Sequence, residues 1–118
     1  MAARENPSKG HYLGTVVNGK WWKRHRRDGM FARGNGEWWI EGGGLYFRRY
    51  LTREPIVIAL DRVASVEIGT WHAGRWAGGR PVIKLTWEQE GRLLTAGFVF
   101  VGTLEEARVL SEKFRVRS

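Results

Sequence analysis

Between Tyr12 and Gly102, apolar and aromatic residues recur at every second position in short runs that glycines interrupt. A period of two places alternate side chains on opposite faces of an extended strand, so this pattern predicts a series of antiparallel strands joined by tight turns. "EWWI", "EGGG" and "LYFRRYL" read as strand, turn and strand, glycine supplying the positive φ of a hairpin. In the second of these strands Leu45, Phe47 and Leu51 are expected on one face, with Tyr46, Arg48 and Tyr50 on the other. "PIVIAL" continues the series behind Pro55, which is tolerated at a strand's start. "ASVEIG" and "PVIKLTWEQ" then place Val66 and Ile68, and Ile83, Leu85 and Trp87, on single faces. After the turn "EGR", the run "LLTAGFVFV" sends Leu94, Ala96, Phe98 and Phe100 inward, while Val99 and Val101 make this last strand apolar on both sides.

At Thr103 the period changes. Thr103 and Glu106 have the spacing of a capping box, Glu105 and Glu106 suit the positive end of a helix, and Leu104, Ala107, Leu110 and Phe114 form one apolar stripe. A single amphipathic helix is expected to close the chain and to bury that stripe against the sheet or the open mouth of a barrel. Residues 1–11, with almost no apolar side chain, are expected to be a flexible tail and residues 12–118 a single domain. There is no internal repeat and no heptad run.

Composition removes several classes of function. With no cysteine among 118 residues, disulfides, thiolate metal sites and a cysteine nucleophile are excluded. The longest apolar runs are strand-sized, well short of the roughly 20 residues of a membrane-spanning helix, and "MAARENPSKG" carries no signal-type apolar core. A soluble, cytoplasmic protein is expected, with peripheral contact at a membrane as an option. Twenty Lys and Arg against twelve Asp and Glu give a net charge of +8, which favours anionic partners. Residues 1–55 carry 11 basic and 5 acidic side chains, whereas residues 56–118 carry 9 and 7, so the positive field is concentrated in the first half.

The block "GEWWIEGGGLYFRRYLTREPIVIALDRVASVEIG", followed by two more strands and "TLEEARVLSEKF", resembles the pleckstrin-homology-like superfamily, and within it the small bacterial pleckstrin-homology and GRAM-like domains. The resemblance covers roughly residues 20–115 and rests on the order of elements rather than on an invariant motif. It implies a mainly β fold, a partly open antiparallel β-barrel of two curved sheets capped by one C-terminal α-helix, and a non-enzymatic binding or scaffolding role. Some lipid-binding members carry a spaced basic pattern near their first hairpin, which Lys20, Arg24 and Arg26 match loosely. Here that stretch is separated from "EWWI" by "DGMFARGN".

Two constellations are candidates for binding. In "KWWKRHRR", strand alternation puts Trp22, Arg24 and Arg26 on one face, so that with Lys20 they can clamp phosphates beside an aromatic ring. The alternative is a strand that buries one tryptophan and solvates the rest. In "GTWHAGRWAGGR", the side chains Trp71, His72, Arg75, Trp76 and Arg80 lie in a stretch longer than an ordinary hairpin loop. They either form the rim of a pocket for an anionic or planar group, or fold back so that the tryptophans plug the barrel end.

No cofactor or metal is expected, since His11, His25 and His72 lack chelating spacing. "GNGEWW" is not a dinucleotide fingerprint, because it lacks the third glycine and leads into a strand. Neither Ser65 nor Ser111 sits on a nucleophile elbow, and Glu88 and Glu90 merely flank a turn. The expected partner is an anionic phospholipid surface or an acidic protein segment. Nucleic acid stacked on the aromatics is the alternative, and homo-oligomers are compatible with exposed strand edges.

Overall fold

The alternating runs become strands that pair throughout in antiparallel fashion. A computed structural model describes residues 8–18, 20–24, 34–72 and 75–115, with backbone alone at 20–24, 75 and 76. In chain order its strands are β1 (Ser8–Val17), β2 (Lys20–Arg24), β3 (Gly34–Glu41), β4 (Gly44–Arg49), β5 (Ile56–Ala59), β6 (Val63–Gly69), β7 (Trp71–His72), β8 (Arg75–Trp76), β9 (Val82–Gln89) and β10 (Arg92–Val99). One 3₁₀ turn, Leu60–Arg62, joins β5 to β6, and helix α1 (Leu104–Phe114) follows β10.

The main sheet runs β5-β4-β3-β1-β10-β9-β6, and β2 also pairs with β1. The mainly β, antiparallel and open architecture with one C-terminal helix is the one expected from the sequence, its strands following a single pairing path rather than two separate sheets. β1 is central because its first half pairs with β3, from Ser8 opposite Trp38 to Tyr12 opposite Gly34, while its last residues pair with β2. Its other edge pairs with β10 from His11 to Val17. The β3–β4 hairpin turns on Gly42 and Gly43 at φ of 56° and 81°, the two left-handed residues that a two-residue hairpin requires.

One face of the sheet wraps around a single apolar cluster. Tyr12, Phe47, Phe98 and Phe100 form its aromatic centre, and Phe114 of α1 packs edge-on against Phe100 at 5.9 Å and Trp38 at 6.0 Å. The inward sets Leu45 and Phe47, Ile83, Leu85 and Trp87, and Leu94, Ala96, Phe98 and Phe100 are buried as their period requires. The capping box forms as well: Glu106 N–H donates to Thr103 Oγ1 at 3.1 Å and Thr103 N–H donates to Glu106 Oε1 at 3.2 Å. At the other end of α1, Arg115 donates to the Val66 carbonyl of β6 at 3.0 Å and so covers part of that edge strand.

The opposite face has a small core of its own. Leu13, Val82 and Val99 project away from the main cluster and are sealed by Ala77, which accounts for a last strand that is apolar on both sides. Ala77 follows the two-stranded ribbon β7–β8, so the stretch from Thr70 to Arg80 is a short hairpin laid on the outer face of the sheet.

Three expectations change. Residues Ser8 to His11 already belong to a strand, ahead of Tyr12, because β3 supplies partners for the first residues of β1. Leu51 does not join Leu45 and Phe47: β4 ends at Arg49, and Leu51 sits in a turn with φ 71° and 99 % exposure. Leu104 is half-exposed, and the helical stripe is Ala107, Leu110, Ser111 and Phe114.

Candidate functional site

The outer face carries a groove whose geometry starts at Gly10. A β-carbon there would meet Phe100 Cδ1 at 2.7 Å, so position 10 faces the main core, and alternation turns Lys9 and His11 outward. Between β1, β3 and the end of β10 lies a groove of about 440 Å³, with Lys9, His11 and Asn35 on one side and Tyr50 and Arg80 at its rim. Gly10, Gly36 and the run from Val99 to Gly102 complete its lining.

Its electrostatics are one-sided. None of the described residues that line it is a carboxylate. Glu37, the cross-strand neighbour of Lys9, is turned to Arg48, whose guanidinium it accepts at 3.0 Å. Among the described residues Lys9 makes no ion pair, and the one side-chain hydrogen bond of Arg80 is a long one, from Nε to the Ala77 carbonyl at 3.5 Å. His11 Nδ1–H donates to Asn35 Oδ1 at 2.7 Å, which fixes the imidazole against β3. Two cations thus face a groove with an aromatic rim and no counter-charge of its own, an arrangement that receives an anionic group.

The residues singled out in the sequence are distributed differently. Arg80 lines the groove, carried there by the turn after Ala77. Trp71 remains 48 % exposed on the ribbon, so it does not plug a barrel mouth. His72 is turned inward at 5 % exposure, where Nε2–H donates to the Gly14 carbonyl at 3.0 Å and the ring lies over Gly97. That carbonyl stands at a bulge in β1, between the pairs Tyr12–Phe98 and Gly14–Gly97. His72 therefore pins the ribbon to the sheet. Arg75 and Trp76 form β8 opposite His72 and Trp71, but their side chains lie outside the described residues.

The side chains of Lys20, Trp22 and Arg24 lie outside the described residues as well, as does Arg26 entirely. The backbone of β2 places the first three beside Val16 and Val17, whereas the groove is built on Lys9 to His11. Eight residues of strand, roughly 25 Å, separate these ends of β1, so the two basic stretches do not form one site.

Sequence reasoning missed Lys9, His11, Asn35 and Tyr50. The alternation of Lys9, Gly10 and His11 signalled the first two, in the stretch read as a tail, and nothing local signalled Asn35 or Tyr50. Among the described residues no cluster of histidines and carboxylates is arranged to hold a metal ion, and no helix is long and apolar enough to cross a membrane. Residues 1–113 match the model of a family described as bacterial PH domain-like. No curated protein and no solved structure matches the chain significantly.

Proposed function

The chain belongs to the bacterial PH domain-like family, and from that premise we propose a non-catalytic binding module that receives an anionic group in the groove of its outer face. The observation that carries this reading is that Lys9 and Arg80 line one groove, with no carboxylate among the described residues that line it. The anionic group is a phospholipid headgroup or the acidic side chains of a protein segment, and the chemistry of the groove is the same for both. The basic stretch Lys20, Trp22, Arg24 and Arg26 and the ribbon residues Trp71, Arg75 and Trp76 are proposed as further contacts for the same partner, separate from the groove. His72 serves by holding the ribbon, and through it Arg80, in place.

The test is co-sedimentation with phosphatidylglycerol-containing and with neutral phosphatidylcholine vesicles, alongside titration with a polyglutamate peptide. At roughly 1 kcal/mol for each cation near an anionic surface, Lys9→Ala with Arg80→Ala weakens binding about thirtyfold. Equal partition onto neutral and anionic vesicles, or binding that the double substitution leaves untouched, would remove the groove from this role. A single-stranded oligonucleotide that displaced both other ligands would replace them as the partner.

A further inference from the structure

The groove's aromatic rim belongs to a turn with an unusual residue at its tip. Thr52 N–H donates to the Arg49 carbonyl at 3.1 Å, closing a turn with Tyr50 and Leu51 at its centre, and Leu51 occupies the left-handed position that glycine or asparagine ordinarily fills. The turn is held firmly. Thr52 Oγ1 donates to the same carbonyl at 2.6 Å, Arg48 donates to the Thr52 carbonyl at 3.2 Å, and Tyr50 N–H donates to the Asn35 carbonyl at 3.0 Å. A bulky apolar side chain thus stands in a backbone conformation that disfavours it, and burial does not repay it, since Leu51 is 99 % exposed.

Other exposed apolar side chains, such as Leu93 and Val109, lie singly on regular elements, where they are ordinary. Leu51 differs in its company. Tyr50 beside it is 40 % exposed and faces the groove, Arg53 is exposed on the same loop, and Lys9 and Arg80 line the same groove as Tyr50. Glu54 is the loop's one carboxylate.

We propose that the Tyr50–Leu51 turn is the element that enters the interface of an anionic bilayer when the chain docks on one, an inference that rests on the anionic-partner reading above. Leu51 goes below the headgroups, the Tyr50 ring lies at their level, and Lys9, Arg53 and Arg80 meet the phosphates. A bilayer is favoured over a protein because a single projecting side chain needs a partner that yields around it, whereas a protein would have to offer a matching pocket.

The absence of cysteine makes a label at this position unique. Leu51→Cys carrying an environment-sensitive nitrobenzoxadiazole dye is expected to brighten and shift to the blue on phosphatidylglycerol-containing vesicles, while the same dye at Val109→Cys on the helix stays aqueous. Leu51→Gly suits the turn better than leucine, so it is expected to melt at the same or a higher temperature and yet partition about tenfold more weakly. A water-like dye on vesicle-bound protein, or full partition by Leu51→Gly, overturns the insertion and leaves the groove standing. Binding to polyglutamate without binding to vesicles does the same. Equal partition onto neutral vesicles with a buried dye keeps the turn and removes the groove, and binding to neither probe removes both.

Discussion

A β-carbon at position 97 would lie 2.5 Å from Cδ2 of His72 and 2.6 Å from its Cγ, closer than any real contact. Gly97 is therefore required by its neighbour and not by a turn. Gly97→Ala is expected to lift His72 from the Gly14 carbonyl and cost about 1–3 kcal/mol, read as a lower melting temperature together with faster amide exchange in the ribbon. An unchanged melt would mean that the imidazole has room elsewhere. This fit was invisible in the sequence, where "TWHAGRW" shows a histidine but not the bulge 58 residues earlier whose carbonyl it satisfies. Leu51 was misplaced for a related reason. Four residues beyond Phe47, it keeps the period of two on paper, but the chain leaves β4 at Arg49 and turns, and a period carries no information about where pairing stops.

At the scale of elements, the helix was legible because its signals are local. Thr103 and Glu106 satisfy each other's backbone whatever the sheet does. Its buried face was read less well. At about 100° per residue, Ala107, Leu110, Ser111 and Phe114 centre on a direction about 70° away from Leu104, which also sits at the helix's first position, so Leu104 falls off the stripe. Ser111 was passed over because it is polar, yet it is 1 % exposed and its hydroxyl has no hydrogen-bond partner among the described residues. Ser111→Ala removes that unsatisfied group and adds helix propensity, and it is expected to stabilise the fold by about 1 kcal/mol, a rise of roughly 4 °C in a thermal melt. A loss of stability there would show that the hydroxyl has a partner. The strands were legible wherever one face is core and the other solvated, as in β9 with Ile83, Leu85 and Trp87. The ribbon β7–β8 was not, because two-residue strands are too short to show a period.

For the whole molecule, the groove exists only through the order of pairing. Its residues come from positions 9–11, 35–36, 50, 80 and 99–102, and they meet because β1 runs between β3 and β10 while the turn after Ala77 leans on the same face. Of these, the sequence pointed to Arg80 alone. A surface held by a few exposed cations loses its grip as salt is added. Partition onto phosphatidylglycerol-containing vesicles is expected to fall by tenfold or more between about 50 and 300 mM salt, with a shallower slope for the Lys9→Ala, Arg80→Ala variant. An affinity indifferent to salt would point to an apolar contact instead.

The hydrogen bond from Arg115 to the Val66 carbonyl also bears on how copies of this chain can meet. Of the two strands that end the pairing path, β6 has a guanidinium stoppered onto its middle, while β5 offers only four residues behind a proline. Fibre growth through those two flanks needs both of them vacant in every copy. Here one carries the Arg115 guanidinium on its Val66 carbonyl, so joining by way of β5 ends at a pair.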